Sequence, residues 1–177
     1  MSTRASRFTR IAAITAASIV CCLQSLGCAS TPEPKGASTT MNTNPSTSAD
    51  VVREFFNAFG KGDVEGVIGT FHPQAEIVAV RKGARKEGEV YGTYSGKDGA
   101  RAFIAALGSA FDTKAFSVDT VVGEGKVAFA SGSFTHNLKS TGKPFTSDWA
   151  LKCVIEDGKI RSYHFFEDSA AYAEASR

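Results

Sequence analysis

Six polar side chains interrupt otherwise apolar, alternating stretches toward the C-terminal end of this 177-residue chain: His136, Asp148, Lys152, Arg161, Tyr163 and His164. A polar group in such a place must find a hydrogen-bond partner or do chemistry, because leaving it buried and unpaired costs free energy. Over residues 144–156, alternation puts Trp149, Leu151 and Cys153 on one face and Asp148, Ala150 and Lys152 on the other. The apolar trio is the expected inner face, which leaves Asp148 and Lys152 outside. Tyr163 and His164 compete for the place beside that trio. A two-residue turn at Asp157 and Gly158 pairs Leu151 with His164, whereas a three-residue turn of Glu156, Asp157 and Gly158 with a glycine bulge pairs it with Tyr163. The bulged turn is the favoured expectation. It gathers Trp149, Leu151, Arg161, Tyr163 and Phe165 into an apolar pocket that holds a phenol and a guanidinium. Tyr163 and His164 are then the candidates for acid or base work; a core tyrosine and sheet-surface histidines at 136 and 164 are the plainer alternatives.

Other chemistries find little support. The histidines at 72, 136 and 164 are far apart and lack metal-ligand spacing, so no metal is expected. A nucleophile elbow, a phosphate-cradling glycine loop and a dinucleotide fingerprint are all missing, and no cofactor is expected. Cys153 reads as a small buried hydrophobe. The basic cluster Arg81, Lys82, Arg85 and Lys86, offset by Glu87 and Glu89, reads as a solvated loop. Tyr91 and Tyr94 follow it near the expected pocket mouth, where they either stack on a ligand or close the core.

The elements that must position these groups follow from periodicity. Asp50 is a good N-cap, and Val51, Val52, Phe55, Phe56 and Phe59 recur at helical spacing until Gly60 and Gly62 break the run. Asp63 caps a second helix whose Val64, Val67, Ile68 and Phe71 share a face until His72 and Pro73 end it. A third helix spans residues 97–111. Short strands are expected at 76–80 and 89–94. After Phe111 the period drops to two, and residues 115–122, 126–138, 144–156 and 159–166 read as strands of consecutive antiparallel hairpins. The fold class is therefore α+β: three N-terminal helices packed on a strongly curved, mainly antiparallel sheet that forms a cone with a pocket.

The first segment is an address. Arg4, Arg7 and Arg10, the apolar run of residues 11–26, and the pair Gly27 and Cys28 make a signal peptide over residues 1–27. The end Ser25-Leu26-Gly27-Cys28 resembles a bacterial lipobox, although Ser25 stands where that motif usually has Leu; plain secretion is the alternative. Residues 28–49, rich in Ser, Thr, Pro and Asn, read as a disordered tether, which favours a lipid anchor on Cys28. Cys21 and Cys22 leave with the signal, so Cys153 has no intrachain partner. The remaining chain carries 17 Lys and Arg against 18 Asp and Glu, a balance that lacks the electrostatic footprint of a nucleic-acid binder. The expected location is exported and membrane-anchored, in the periplasm, with membrane contact only through the lipid.

Over residues 50–177 the chain resembles the SnoaL-like branch of the nuclear transport factor 2 superfamily, which includes polyketide cyclases and ketosteroid isomerase. The carriers are Phe55-Phe56 with the Gly62-Asp63 break, Phe71-His72-Pro73, Gly96-Lys97-Asp98-Gly99, Thr141-Gly142-Lys143-Pro144, and Asp157-Gly158-Lys159-Ile160 leading to Phe166-Glu167-Asp168. The resemblance implies a ligand pocket reached by Phe55, Tyr91 and the residues gathered above, and a homodimer through the open sheet face. It does not bring the isomerase chemistry along. The tyrosine position on helix one falls at Phe55, the base at Ala79, and the acid of the penultimate strand near Leu151, all apolar. The expectation is thus a domain that binds a small apolar ligand or a partner; the alternative is an isomerase, cyclase or hydrolase acting on a carbonyl-bearing apolar molecule. Labelling with a radioactive fatty acid in the native host should mark the wild-type protein and leave Cys28→Ser unlabelled, and equal labelling of the two would exclude the anchor.

Overall fold

The computed structural model describes residues 47–86 and 88–177. The expected signal peptide, Cys28 and nearly all of the expected tether lie outside them. Helix α1 (Ser48–Gly60) starts earlier than Asp50: Thr47 is the N-cap, and Asp50 closes a capping box by accepting from the Thr47 amide at 3.1 Å while its own amide reaches the Thr47 hydroxyl at 3.2 Å. Val51, Val52 and Phe55 form its buried face. Helix α2 (Val64–Gly69), capped by Asp63, stops before Phe71, which instead opens strand β1 (Phe71–Ala79). Thr70 is the C-cap, Pro73 holds His72 extended, and Phe71 joins that extended run instead of the helix. Strand β2 (Gly92–Ser95) leads directly into α3 (Gly96–Ala110), which buries Ala100 and Phe103.

Strands β3 (Phe111–Phe116), β4 (Thr120–Glu124), β5 (Val127–Leu138), β6 (Pro144–Glu156) and β7 (Lys159–Glu167) complete a seven-stranded sheet, and α4 (Ser169–Ala175) follows it. The order is β2-β1-β7-β6-β5-β3, with β4 also on β5; β1 and β7 run parallel and the other pairs antiparallel. The sheet curls around α1 and α3 without closing, which gives the expected α+β cone. Burial alternates strictly along β6 up to Cys153, with Trp149, Leu151 and Cys153 inside and Asp148, Ala150 and Lys152 outside. Among the described residues no helix is long and apolar enough to cross a membrane.

Two local departures matter for the pocket. Residues 115–122, which read as one strand, divide into β3 and β4 around Gly132 of β5. A Cβ on Gly132 would stand 2.0 Å from the Ser117 carbonyl oxygen and 2.8 Å from Cζ2 of Trp149. The bare glycine thus admits both the Trp149 ring and the Ser117 backbone, whose amide donates to Ser133 O at 2.8 Å. The β6–β7 turn is the two-residue form rather than the bulged one: Asp157 and Gly158 both have positive φ, and Glu156 pairs with Lys159. An irregularity between Val154 and Ile155 then shifts the register, so that Leu151 pairs with Phe165 and Cys153 with Tyr163. That shift restores the expected face for Tyr163 and Phe165 by a different route.

Filling the notch at Gly132 should be costly. Gly132→Ala is expected to lower the stability of the full chain by about 1–3 kcal/mol through overpacking; urea unfolding followed by Trp149 emission checks this, and an unchanged midpoint would show that the close approach is not needed.

Candidate functional site

The cone encloses a cavity of about 200 Å³ whose wall is mainly aromatic. Helix α1 supplies Phe55, Phe56 and Phe59, α3 supplies Phe103 and Leu107, and the strands add Phe111, Phe116, Phe134 and Phe165. Five lining side chains carry polar atoms: Tyr91, Thr113, His136, Tyr163 and Glu167. A wider groove of about 670 Å³ runs beside α3, but its cations are engaged elsewhere: Arg85 lies over the Tyr94 ring at 4.7 Å and Lys139 donates to Gly108 O at 2.6 Å. The chemistry is therefore concentrated in the smaller cavity.

Of the residues expected at the site, Phe55, Tyr91, Tyr163 and Phe165 line this cavity. Trp149 and Leu151 do not; they are buried in the wall behind it, Trp149 stacked between Phe116 at 5.3 Å and Phe165 at 5.4 Å. Arg161 is a correction. The β7 irregularity leaves it without a strand partner, and its guanidinium turns outward to Glu156, at 3.4 Å, and to the Gln74 carbonyl. His164 is a correction as a catalytic candidate, because it pairs with Lys152 on the outer face and packs on Phe166 at 4.0 Å. Tyr94 is core, its hydroxyl donating to Val90 O at 2.7 Å.

His136 and Glu167 replace them. His136 pairs with Phe145 and so faces inward, not to the sheet surface, with its ring stacked on Phe134 at 4.2 Å and on Phe111 at 5.0 Å. Its Nδ1 is buried without a partner, and burial pulls its pKa down to about 4, so the imidazole is neutral at physiological pH. Glu167 continues the inward alternation of Tyr163 and Phe165, opposite Trp149. Its Oε1 accepts from the Tyr91 hydroxyl, and burial, with Asp168 adding to it, pushes its pKa up to about 8. Burial, and then the neighbouring Cys153, also raise the Tyr163 phenol well above its usual value. Each of these groups is thus held uncharged, which suits hydrogen bonding to a neutral guest. Among the described residues no cluster of His, Cys, Asp or Glu could hold a metal ion. The signal for both additions lay in alternation: Phe134, His136 and Leu138 share a face, as do Tyr163, Phe165 and Glu167.

A histidine with a depressed folded-state pKa contributes stability that is present above its unfolded value near 6.5 and is lost as pH falls toward about 4. His136→Phe should therefore flatten the acid side of the stability curve between pH 6.5 and 4, by at most about 1.4 kcal/mol per pH unit for one proton. Urea unfolding of both proteins across that range measures it, and parallel curves would place the imidazole in water.

A SnoaL-like domain model matches residues 52–163. The chain is 33% identical over 81 residues to patulin synthesis protein F of Aspergillus clavatus, an overlap of 44% of this chain and 41% of that protein. It therefore spans about two fifths of that curated relative's length. Among solved structures, a nuclear transport factor 2-like protein of Burkholderia thailandensis superposes with a TM-score of 0.64 at 23% identity, over 74% of this chain and 98% of that one. TerC, co-crystallized with polyporic acid, superposes with a TM-score of 0.60 at 20% identity, over 73% and 97%. The likeness to the solved structures is one of fold, and the matched model covers most of α1 through β7; the chain belongs to the SnoaL-like domain family of the nuclear transport factor 2-like fold.

Proposed function

We propose that this protein binds a small, uncharged, ring-containing molecule in the cone. The observation that carries this is an aromatic cavity into which a few neutral polar groups open, one of them, His136, with a buried nitrogen left unpaired. Apolar walls with a few placed polar groups are the usual composition of small-molecule sites. A volume of about 200 Å³ lies below the roughly 300–1,000 Å³ of drug-sized pockets, which suits a guest of one or two rings. Relatives of this fold named for polyketide cyclase activity, and the TerC crystal with its polyporic acid, support the reading.

A second reading, an isomerase, cyclase or hydrolase acting on a carbonyl-bearing substrate, is favoured by one observation. Tyr91 and Glu167 form an ionisable pair inside the cavity, and Glu167 titrates near neutrality at about 8. The acid and base would then be these groups with His136 and Tyr163. Ketosteroid isomerisation by the usual positions is not part of this proposal, since Phe55 and Ala79 line the cavity as apolar groups and Leu151 lies behind the wall.

The proposal includes export, an anchor at Cys28 as the sole membrane contact, and no nucleic-acid partner. It also includes a homodimer through the outer sheet face, where Phe129 and Phe166 are half exposed beside Val122 and Ala150. Native mass spectrometry of the protein purified from its host should show twice the mass of the cleaved, acylated chain plus a releasable small molecule. Ala79→Leu, which fills the cavity from β1, should lose the adduct and keep the dimer. A bare mass that added 2-naphthol does not shift would overturn the binding reading, and a strict monomer would overturn the dimer.

A further inference from the structure

Glu167 restricts what the cavity can accept. The titratable or charged groups around it are Tyr91 from the segment before β2, Tyr163 on its own strand, His136 across β6, Asp168 next in the chain, and Tyr172 of α4, whose ring packs on Tyr91 at 4.5 Å. None of them supplies a cation to Glu167: neither Lys nor Arg lines the cavity among the described residues, and His136 is neutral. The Asp168 carboxylate is turned away to cap α4, accepting from the Ala170 amide at 2.9 Å and the Ala171 amide at 3.0 Å. An ionised Glu167 would face aromatic walls with a phenol for its partner. A carboxylic acid there keeps the Tyr91 bond on one oxygen and has an O–H left to donate.

A second polar point lies on the far side of β6. Glu167 stands opposite Trp149 and His136 opposite Phe145, so β6 runs between them and a guest touching both would lie across that strand. His136 lines the cavity there, its Nδ1 buried without a protein partner. Resting on the reading that the cavity binds a small molecule, we propose that Glu167 in its acid form is the specificity residue: its O–H donates to the carbonyl oxygen of an uncharged ring compound, and ionisation of that carboxyl closes the site to it. Anionic compounds meet no cation in the cavity, and rings without a carbonyl leave the acid proton unpaired.

Burial holds Glu167 near 8, so the acid form falls from about ten parts in eleven at pH 7 to about one in eleven at pH 9. If the acid form alone binds, the apparent Kd rises by the same factor, about tenfold. Titration calorimetry of the full-length protein with 1-tetralone and with tetralin, its carbonyl-free counterpart, tests this. Wild type should prefer tetralone at pH 7 and lose about tenfold in tetralone affinity by pH 9, with little change for tetralin. Glu167→Gln, which keeps a donor and carries no charge, should retain the preference at both pH values. Glu167→Leu should bind the two probes alike, with Trp149 emission confirming that each variant is folded. Equal affinities for the two probes in wild type, or the same alkaline loss in Glu167→Gln, would overturn the role of Glu167 while leaving the pocket intact. Failure of folded wild type to bind either probe at any pH would remove the binding reading, and this proposal with it.

Discussion

A slip of one residue between β6 and either neighbour would turn Trp149, Leu151 and Cys153 toward solvent and bring Asp148 and Lys152 into the cone. Burying a large apolar side chain contributes about 1.5–3 kcal/mol, so the trio and its neighbours on β5 and β7 resist that slip far more strongly than a single turn could enforce it. The turn is in fact overridden. Its two-residue geometry alone would pair Leu151 with His164, and the irregularity next to Ile155 corrects the register within two residues. Packing against the inner face therefore decides which side chains reach the cavity, and β7 bulges at Arg161 to comply while the turn keeps its two-residue form.

This hierarchy explains what the chain discloses before it folds. The faces of β6, the helical stripes of α1 and α3, and the inward places of Tyr163 and Phe165 follow from periodicity, because burial is strong there and one face is apolar throughout. Phe71 fits the helical stripe of α2 and the inner face of β1 equally well, and Pro73, which restricts only His72, does not decide between them. The division of β3 from β4 depends on a contact between Gly132, Ser117 and Trp149 that no local pattern announces. Alternation does not place Arg161, because a bulged position has no fixed face. His136 and Glu167 were legible in principle from alternation, yet polar residues are ordinarily outside, and only three-dimensional packing shows that these two are enclosed.

The two faces of the sheet thus carry different kinds of polarity. Outside, His164, Lys152 and Asp148 stand beside half-exposed aromatics in contact with water. Inside, Glu167, Tyr163 and His136 are moved toward their neutral forms chiefly by desolvation. Tyr91 and Glu167 bond to each other, and no other bond joins two of the cavity's polar side chains among the described residues.

The parallel pairing of β1 with β7 brings Phe71 beside Ile160 and Ala79 beside Phe165, joining the first strand of the sheet to the last. Contacts between such distant parts of a chain raise the contact order and slow folding. During synthesis, β1 must wait with an open edge until β7 is made, and so must β6. The segment that completes the sheet also brings Tyr163, Phe165 and Glu167. A chain halted after Glu156 would have neither a continuous path of strands from β2 to β3 nor a cavity, so completion of the fold and creation of the site are one kinetic event.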